Sequence, residues 1–207
     1  MLARIPEPEL MLDTDQCELY NQEFADDPRI LEEFLETYTQ YVGITKGTVI
    51  DLGSGTGHFV IALCKMYPEL SVTCYEASSA MIDIAKRNIT QAGLENQINL
   101  IQDDFFNAQG QFDLVIANRV LHHVNDTVGF WNLIDRLGKN VLVCDLGRPN
   151  TVEFLNRPFS EDAMNSLKAA YTLEEVQDQT KDYNYSVVKK ALMLDLYRLT
   201  VFTKTDK

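Results

Sequence analysis

The sequence predicts an α/β fold, and two observations support this. From about residue 45 onward, short β-branched runs alternate with amphipathic stretches of helical spacing, as in a parallel sheet with helices on both faces. The chain then closes on two consecutive strand patterns, which a plain dinucleotide-binding fold lacks. We therefore expect a Rossmann-like, doubly wound seven-stranded sheet that is mostly parallel, with one antiparallel strand near the C-terminus.

Two helices are expected before the alternation begins, after an irregular stretch over residues 1–13. The second is the clearer of the two, because Asp27 is a favourable cap, Pro28 suits a first turn and Gly43 favours an ending. Its apolar residues recur on one face at helical spacing. They are Ile30, Leu31, Phe34, Leu35, Tyr38 and Val42.

The alternating region predicts five strands with helices between them. The expected strands are Thr48–Leu52, Ser71–Tyr75, Ile98–Gln102, Phe112–Ala117 and Val141–Asp145. The expected helices are Phe59–Tyr67, Ser79–Ala92 closed by Gly93, and Asp126–Leu137 ending at Gly138.

The C-terminal third has a different pattern. Ser160–Tyr171 has helical spacing, and Thr172 with Glu175 forms a capping-box signature that opens another short helix. Tyr185–Met193 and Tyr197–Lys204 then indicate a closing hairpin. We expect a single domain over residues 1–207, divided into an N-terminal helical cap (1–44), a cofactor-binding core (45–147) and C-terminal helices with the hairpin (148–207).

Composition limits the function classes. The chain has 207 residues, 45% of them hydrophobic, and a formal net charge of −13. It has no basic stripe for phosphate contacts, so we expect no nucleic-acid partner. It also has no apolar stretch of transmembrane length and no signal-peptide pattern, so we expect no membrane partner and a cytoplasmic location. Three histidines and four scattered cysteines form no metal-binding spacing, so no metal is expected.

The most informative segment joins the first predicted strand to the next helix. Asp51 is followed by three alternating glycines, Gly53, Gly55 and Gly57. Such a turn offers bare backbone N–H groups to a ligand. The dinucleotide fingerprint requires Gly or Ala where this chain has His58. A carboxylate at the mouth of the turn repels a pyrophosphate and attracts an ammonium, which favours S-adenosylmethionine over NAD.

Polar residues also end the other predicted strands. Glu76 ends the second strand, and Asp103, Asp104 and Phe105 follow the third. Asn118 with Arg119 follows the fourth strand, and Asp145 ends the fifth. Since open α/β sheets bind ligands beyond the carboxyl ends of their strands, these positions predict one continuous site.

Residues 45–147 resemble the class I S-adenosylmethionine-dependent methyltransferase family. The acid and three glycines look like its first motif, where backbone groups surround the methionine end of the donor. Phe112–Asn118 resembles its fourth strand, and the closing hairpin its extra antiparallel strand. The resemblance implies in-line methyl transfer to a nucleophile on a small-molecule acceptor, with release of S-adenosylhomocysteine. The segment Asn118–Leu121 stands where amino methylators of bases and glutamine carry Asn-Pro-Pro-Tyr.

The resemblance also implies individual roles. Glu76 would hold the ribose hydroxyls, and Met81 would pack on the adenine or belong to the core. Asp104 or the neighbouring Asp103 would accept from the adenine amino group, and Asn118 would approach the methionine ammonium. The cofactor-binding residues implied are Asp51, Gly53, Ser54, Gly55, Gly57, Glu76, Ala77, Met81, Asp103, Asp104, Phe105 and Asn118.

The segment after the fourth strand carries the catalytic candidates, His122 and His123. A histidine can act as a general base near neutral pH, although methyl transfer often needs none. Adjacent helical residues diverge, so only one imidazole is expected to face the site, and His123 is favoured as a pocket-lining residue. The acceptor pocket is expected to be lined by Tyr20, Arg119, His123 and Arg148.

Several alternatives stay open at this point. Tyr20 either covers the cofactor or packs between helices, and Arg148 either pairs with an anionic acceptor or with an acid of the protein. A non-catalytic S-adenosylmethionine-binding module and an NAD-linked oxidoreductase are the alternative functions. The oligomeric state and the methylated element are left open.

Overall fold

The structure is a computed structural model that describes residues 3–7, 11–149, 159–193 and 196–203. Its helices and strands follow the predicted alternation. The strands are β1 Lys46–Leu52, β2 Glu69–Glu76, β3 Ile98–Gln102, β4 Leu114–Asn118, β5 Val141–Gly147, β6 Tyr185–Met193 and β7 Leu196–Thr203. The α-helices are α1 Thr14–Asp26, α2 Arg29–Tyr41, α3 His58–Met66, α4 Ser79–Ala92, α5 Thr127–Leu137, α6 Glu161–Ala169 and α7 Leu173–Gln179.

The strands form one seven-stranded sheet in the order β3-β2-β1-β4-β5-β7-β6. β1 pairs in parallel with β2 and β4, and β2 with β3. β7 is antiparallel to both of its neighbours, β5 and β6. The predicted fold class is therefore confirmed, including the single antiparallel strand near the C-terminus.

The chain divides into two compact units. We call the first the glycine-loop unit, which comprises Glu9–Ile116 and Leu137–Asn140. The second, the hairpin unit, comprises Met1–Pro8, Ala117–Arg136 and Val141–Lys207. The predicted division into cap, core and C-terminal part stays a prediction.

The core of the glycine-loop unit is built from alternating strand residues and one face of each helix. In β1, Val49, Ile50 and Leu52 are fully buried, as expected for a strand covered on both faces. Ser78 caps α4 by accepting from the Met81 amide, and Gly93 ends this helix with a positive φ of 69°. Since β2 ends at Glu76 and Ser78 is the N-cap, α4 begins directly after the end of β2.

The hairpin unit has its own core, centred on α5 and the antiparallel strands. Trp131 is 1% exposed, and its indole Nε1 donates to Gln179 Oε1 at 3.1 Å. Thr172 and Glu175 form the predicted capping box at the start of α7. Within the described residues, none of the helices is both long and apolar enough to cross a membrane.

Element boundaries differ from the predicted ones where bridges or turns intervene. β4 begins at Leu114 because Phe112 makes only an isolated bridge to Gly138. The helix expected over Ser160–Tyr171 ends at Ala169, since the next residue is extended and Tyr171 forms a bridge with Gly147. The predicted end of the last strand at Lys204 lies outside the described residues.

Candidate functional site

The glycine loop joins β1 to α3 within the glycine-loop unit. Gly53, Gly55 and Gly57 have φ values of 73°, 54° and 80°. Side chains rarely adopt this left-handed conformation, so the loop requires glycine at these three positions. Gly57 is the N-cap of α3 and supplies the turn that starts this helix.

The sequence had suggested that the amides of the loop are free to bind a ligand, but in the structure they form internal hydrogen bonds. The Gly53 and Ser54 amides donate to the Tyr75 carbonyl at 2.8 and 3.1 Å. The Gly57 amide donates to the Ser54 carbonyl at 3.0 Å, and the Gly55 amide donates to Glu76 Oε2 at 2.9 Å. These bonds fix the loop against the end of β2, because buried N–H groups require partners.

Two buried carboxylates, Asp51 and Glu76, stand at the ends of β1 and β2. They are 4% and 8% exposed. Burial, together with the negative charge of Glu76, raises the pKa of Asp51 to about 7. Burial also raises the pKa of Glu76, against the hydrogen bonds that it accepts from the backbone of Ser78, Gly55 and Ala77. The site is therefore unfavourable for negative charge until a cation accompanies it.

Met81 and Tyr20 lie beside this loop. Met81 is 6% exposed and packs in a cluster with Cys17 and Ile84, against which the ring of Tyr20 also packs. A Cβ built on Gly55 would lie 3.9 Å from Cε1 of Tyr20, so the tyrosine ring lies beside the loop while it packs between α1 and α4. The cluster supports the core alternative for Met81, and its predicted contact with adenine stays a prediction.

The turn after β3 carries the two predicted adenine-binding acids. The Asp103 amide donates to the Glu76 carbonyl at 3.2 Å, which ties this turn to the end of β2. Asp103 Oδ1 accepts from the Asp104 amide at 2.8 Å, and Asp104 Oδ1 accepts from the Phe106 amide at 2.9 Å. Both acids therefore stabilise the turn, which precedes a short 3₁₀ helix, Phe105–Asn107.

In the hairpin unit, a histidine cluster forms from Glu7, His122, His123 and Asp145. The two histidines lie on a 3₁₀ helix, Leu121–His123, and Asp145 lies in β5. His122 Nδ1 is 2.7 Å from Asp145 Oδ1, and the His122 amide donates to Asp145 Oδ2 at 2.9 Å. Glu7 Oε2 is 3.6 Å from His122 Nε2 and 3.1 Å from His123 Nδ1.

The two imidazoles do not diverge as expected. Their ring centroids are 4.0 Å apart, and both rings reach Glu7. The helix type does not explain this, since consecutive residues of a 3₁₀ helix diverge by about 120°, more than in an α-helix. Both side chains instead reach towards the same carboxylate oxygen of Glu7. Both histidines therefore belong to one cluster, with the His122 side chain 5% exposed and that of His123 42% exposed.

The charges in the histidine cluster are strongly coupled. Burial lowers the pKa of His122, but the ion pair with Asp145 and the nearby Glu7 carboxylate raise it above the ordinary value. Burial and the charge of His122 lower the pKa of His123 to about 4. Burial raises the pKa of Asp145, but its interactions with His122 outweigh this and bring the net value below the usual range.

Arg4 anchors the N-terminal segment that carries Glu7. Its Nε donates to the Ala169 carbonyl at 2.6 Å, and its Nη2 donates to the His122 carbonyl at 2.8 Å. The guanidinium also lies over the ring of Tyr171, 4.3 Å from its centroid. Sequence reasoning missed Arg4 and Glu7 as site residues, because nothing in their local pattern points to residues so distant in the chain.

The remaining predicted positions also lie in the hairpin unit. Asn118 Nδ2 is buried without a hydrogen-bond partner in the described residues, which is consistent with a ligand-facing role. Arg119 has a φ of 59°, a strained backbone state for a residue with a side chain. Arg148 is 3% exposed, and its guanidinium donates to Glu175 Oε1 at 2.6 Å and to the Ala170 carbonyl at 2.9 Å. Its contacts therefore support pairing with an acid of the protein.

Comparisons with known proteins place these sites in context. Residues 45–198 match a family model described as a methyltransferase domain. The chain is 33% identical over 79 residues to malonyl-[acyl-carrier protein] O-methyltransferase of Priestia megaterium, covering 37% of this chain and 27% of that protein. It is 34% identical over 74 residues to release factor glutamine methyltransferase of Rhodopirellula baltica, covering 34% of this chain and 25% of that protein.

The chain thus spans about a quarter of the length of these curated relatives. Ribosomal RNA small subunit methyltransferases also match it. A solved structure from Methanococcus maripaludis, titled a putative S-adenosyl-L-methionine-dependent methyltransferase, superposes with a TM-score of 0.67. This neighbour is 21% identical, with 98% of each chain covered, and at that identity it shows the fold.

Proposed function

Because this chain belongs to the class I S-adenosylmethionine-dependent methyltransferase family, we propose that it transfers a methyl group from S-adenosylmethionine to a small-molecule acceptor. The family match covers residues 45–198 and confirms the family predicted from the sequence. S-adenosylmethionine is the methyl donor of this family, which confirms the predicted cofactor.

One observation carries the donor assignment: Asp51 and Glu76 are both buried at the ends of adjacent parallel strands. Burial raises the pKa of both, and the charge of Glu76 further disfavours the charge of Asp51. A ligand with a diphosphate would add negative charge to this place. A ligand with an ammonium and a sulfonium supplies the missing positive charge, so the residues present fit this donor.

When bound, S-adenosylmethionine would supply an electrophilic methyl group, and S-adenosylhomocysteine would be the leaving group as the acceptor forms its bond to the methyl carbon. The residues of this chain then have three tasks. Asp51 would provide charge for the ammonium, Glu76 would accept from the ribose hydroxyls while it also accepts from the Gly55 amide, and Tyr20 would cover the donor. Holding donor and acceptor in a fixed arrangement supplies much of the rate of such a reaction.

Two features favour a small acceptor over RNA or a protein. The net charge of −13 opposes association with polyanionic RNA. The segment Asn118–Leu121 reads Asn-Arg-Val-Leu, unlike the Asn-Pro-Pro-Tyr of enzymes that methylate the amino groups of bases and glutamine. The small-molecule class therefore remains our proposal for the acceptor.

Donor specificity is tested by calorimetric titration of the full chain with S-adenosylhomocysteine and, separately, with NADH. We expect saturable binding of the sulfur ligand and none of NADH. Tight NADH binding without any response to S-adenosylhomocysteine would contradict the donor assignment.

Acceptor class is tested with isotopically labelled S-adenosylmethionine. The chain is incubated with three separate fractions of a cell extract: small molecules, proteins and RNA. We expect enzyme-dependent label in the small-molecule fraction. Label confined to the RNA or protein fraction would overturn the acceptor proposal and leave the donor assignment intact, and donor binding without label in any fraction would indicate a non-catalytic module.

A further inference from the structure

We propose that Glu7, His122 and His123 form a binding site for one divalent transition-metal ion such as Zn²⁺ or Co²⁺. The sequence predicted no metal site, because its three histidines show no metal-binding spacing. In the hairpin unit, one ligand atom from each of these three residues lies within 4.8 Å of the other two. The site thus becomes visible only in the folded chain.

Two of the converging ligand atoms, His122 Nε2 and Glu7 Oε2, can both be hydrogen-bond acceptors. Asp145 Oδ1 lies 2.7 Å from His122 Nδ1, which assigns the ring proton of the neutral imidazole to Nδ1. In that neutral form, His122 Nε2 directs a lone pair towards Glu7 Oε2, 3.6 Å away. Glu7 Oε2 is buried and has no hydrogen-bond partner within the described residues. A cation between these two atoms satisfies both, and that cation is either a proton on Nε2 or a metal ion.

The chemistry of this set is that of a metal centre with open coordination positions. Two imidazoles and one carboxylate suit borderline ions such as Zn²⁺, Co²⁺ and Fe²⁺ more than Mg²⁺ or Ca²⁺. Three protein ligands leave positions for water or a further ligand. Asp145 supplies the outer carboxylate that metal-binding histidines commonly require, because it orients His122 and raises its basicity.

The N-terminal segment is held firmly enough to make Glu7 a fixed ligand. Arg4 donates to the carbonyl groups of His122, Val124 and Ala169, which are part of the histidine-bearing segment and α6. The Ile5 amide donates to the Lys168 carbonyl at 3.1 Å. The positive charges of Arg4 and Arg119 oppose a further cation nearby, whereas the carboxylates of Glu7, Asp145 and Asp162 favour it, so the acids outnumber the basic side chains.

The proposal is tested by titrating the chelator-treated, tag-free full chain with Co²⁺ alone. Visible d–d absorption reports coordination by nitrogen and oxygen, and competition with Zn²⁺ gives relative affinity. We expect one saturable equivalent per chain. No methyl donor or acceptor is present, so this result is independent of the proposed function.

Three variants locate the ion. Glu7→Gln and His123→Ala each remove a ligand and are expected to weaken Co²⁺ binding more than roughly tenfold, since even outer-shell changes cost ~10–100-fold. Asp145→Asn, a positioning change, is expected to fall within that ~10–100-fold range. Glu95→Gln is the matched control, because Glu95 is exposed and lies in the glycine-loop unit. Its affinity should equal that of the unmodified chain.

Two outcomes overturn the proposal. One is the absence of saturable Co²⁺ binding, which would mean that a proton on His122 satisfies Glu7. The other is binding that Glu7→Gln and His123→Ala leave unchanged, which would place the ion elsewhere. Unfolding temperatures of the metal-free variants show that each one is folded, and if His123→Ala is unfolded, Glu7→Gln alone decides.

Discussion

The glycine loop and the histidine cluster both bury carboxylates, but they differ in whether a positively charged partner lies beside the buried acid. In the glycine-loop unit, Asp51 is influenced by another acid, Glu76, and burial raises its pKa to about 7. In the hairpin unit, Asp145 is buried as well, but the partner His122 brings its pKa below the usual range. A buried acid that lacks its own cation marks the place where a cationic ligand is favoured, whereas a paired acid serves to orient its partner.

The two sites also differ in how the chain builds them. The glycine loop is a contiguous segment whose glycines carry the positive φ values of the turn. The histidine cluster combines the N-terminal segment, the 3₁₀ helix after β4 and the end of β5. The following variants test whether the acids of the glycine loop serve ligand binding and whether charge pairs in the hairpin unit serve folding stability.

The largest expected effect is on stability, in the hairpin unit. Glu175→Gln removes the charge that pairs with Arg148, whose side chain is 3% exposed. We expect about 3 kcal/mol of destabilisation, the low end for stranding a buried charge, because the Glu175 side chain is 39% exposed. Urea unfolding measures it, with Glu174→Gln as the control from the same helix turn. Equal stability of the two variants would show that the pair contributes little.

The next effect concerns donor affinity in the glycine-loop unit. Glu76→Ala removes the acceptor for the Gly55 and Ser78 amides and the proposed ribose partner. We expect donor affinity to fall by roughly 1–3 kcal/mol, the scale for losing a charged hydrogen-bond partner. Calorimetry with S-adenosylhomocysteine measures it, with Glu95→Ala as the exposed control. Unchanged affinity would remove Glu76 from the site.

The smallest effect is a pH dependence that follows from Asp51. With its pKa raised to about 7, Asp51 loses its charge as the pH falls below this value. Affinity for S-adenosylhomocysteine, which carries the ammonium, should then weaken by up to about tenfold per pH unit. Asp51→Asn should abolish this dependence. A pH profile of the variant that parallels that of the unmodified chain would assign the titration to another group.

The same substitution has a second, opposite consequence for stability. A raised pKa in the folded state means that ionised Asp51 destabilises the ligand-free protein above the pKa of the unfolded chain. Asp51→Asn should therefore raise the unfolding temperature at pH 8, by about 2–4 °C for each kcal/mol gained. The difference should shrink at pH 5, where Asp51 in the folded protein is already protonated. A larger gain at pH 5 would contradict the assigned pKa.

Much of the fold could be predicted from the sequence because its signals are local. Alternating apolar runs, the Ser78 and Thr172 caps and the glycine at the end of α4 each act within a few residues. The predicted boundaries failed where a non-local contact decided them, as at Phe112, which meets Gly138 in an isolated bridge. Such a contact depends on chain segments that sequence periodicity does not connect.

The sequence by itself determined the fold class, the glycine loop and the acid at its mouth, since these lie within one continuous motif. Only the tertiary structure decided that the loop amides are used internally, that Arg148 pairs with Glu175, and that both histidines meet Glu7. The reason is physical: burial and the approach of distant charges set the partners and the pKa of a polar group, and neither is encoded in the neighbouring residues.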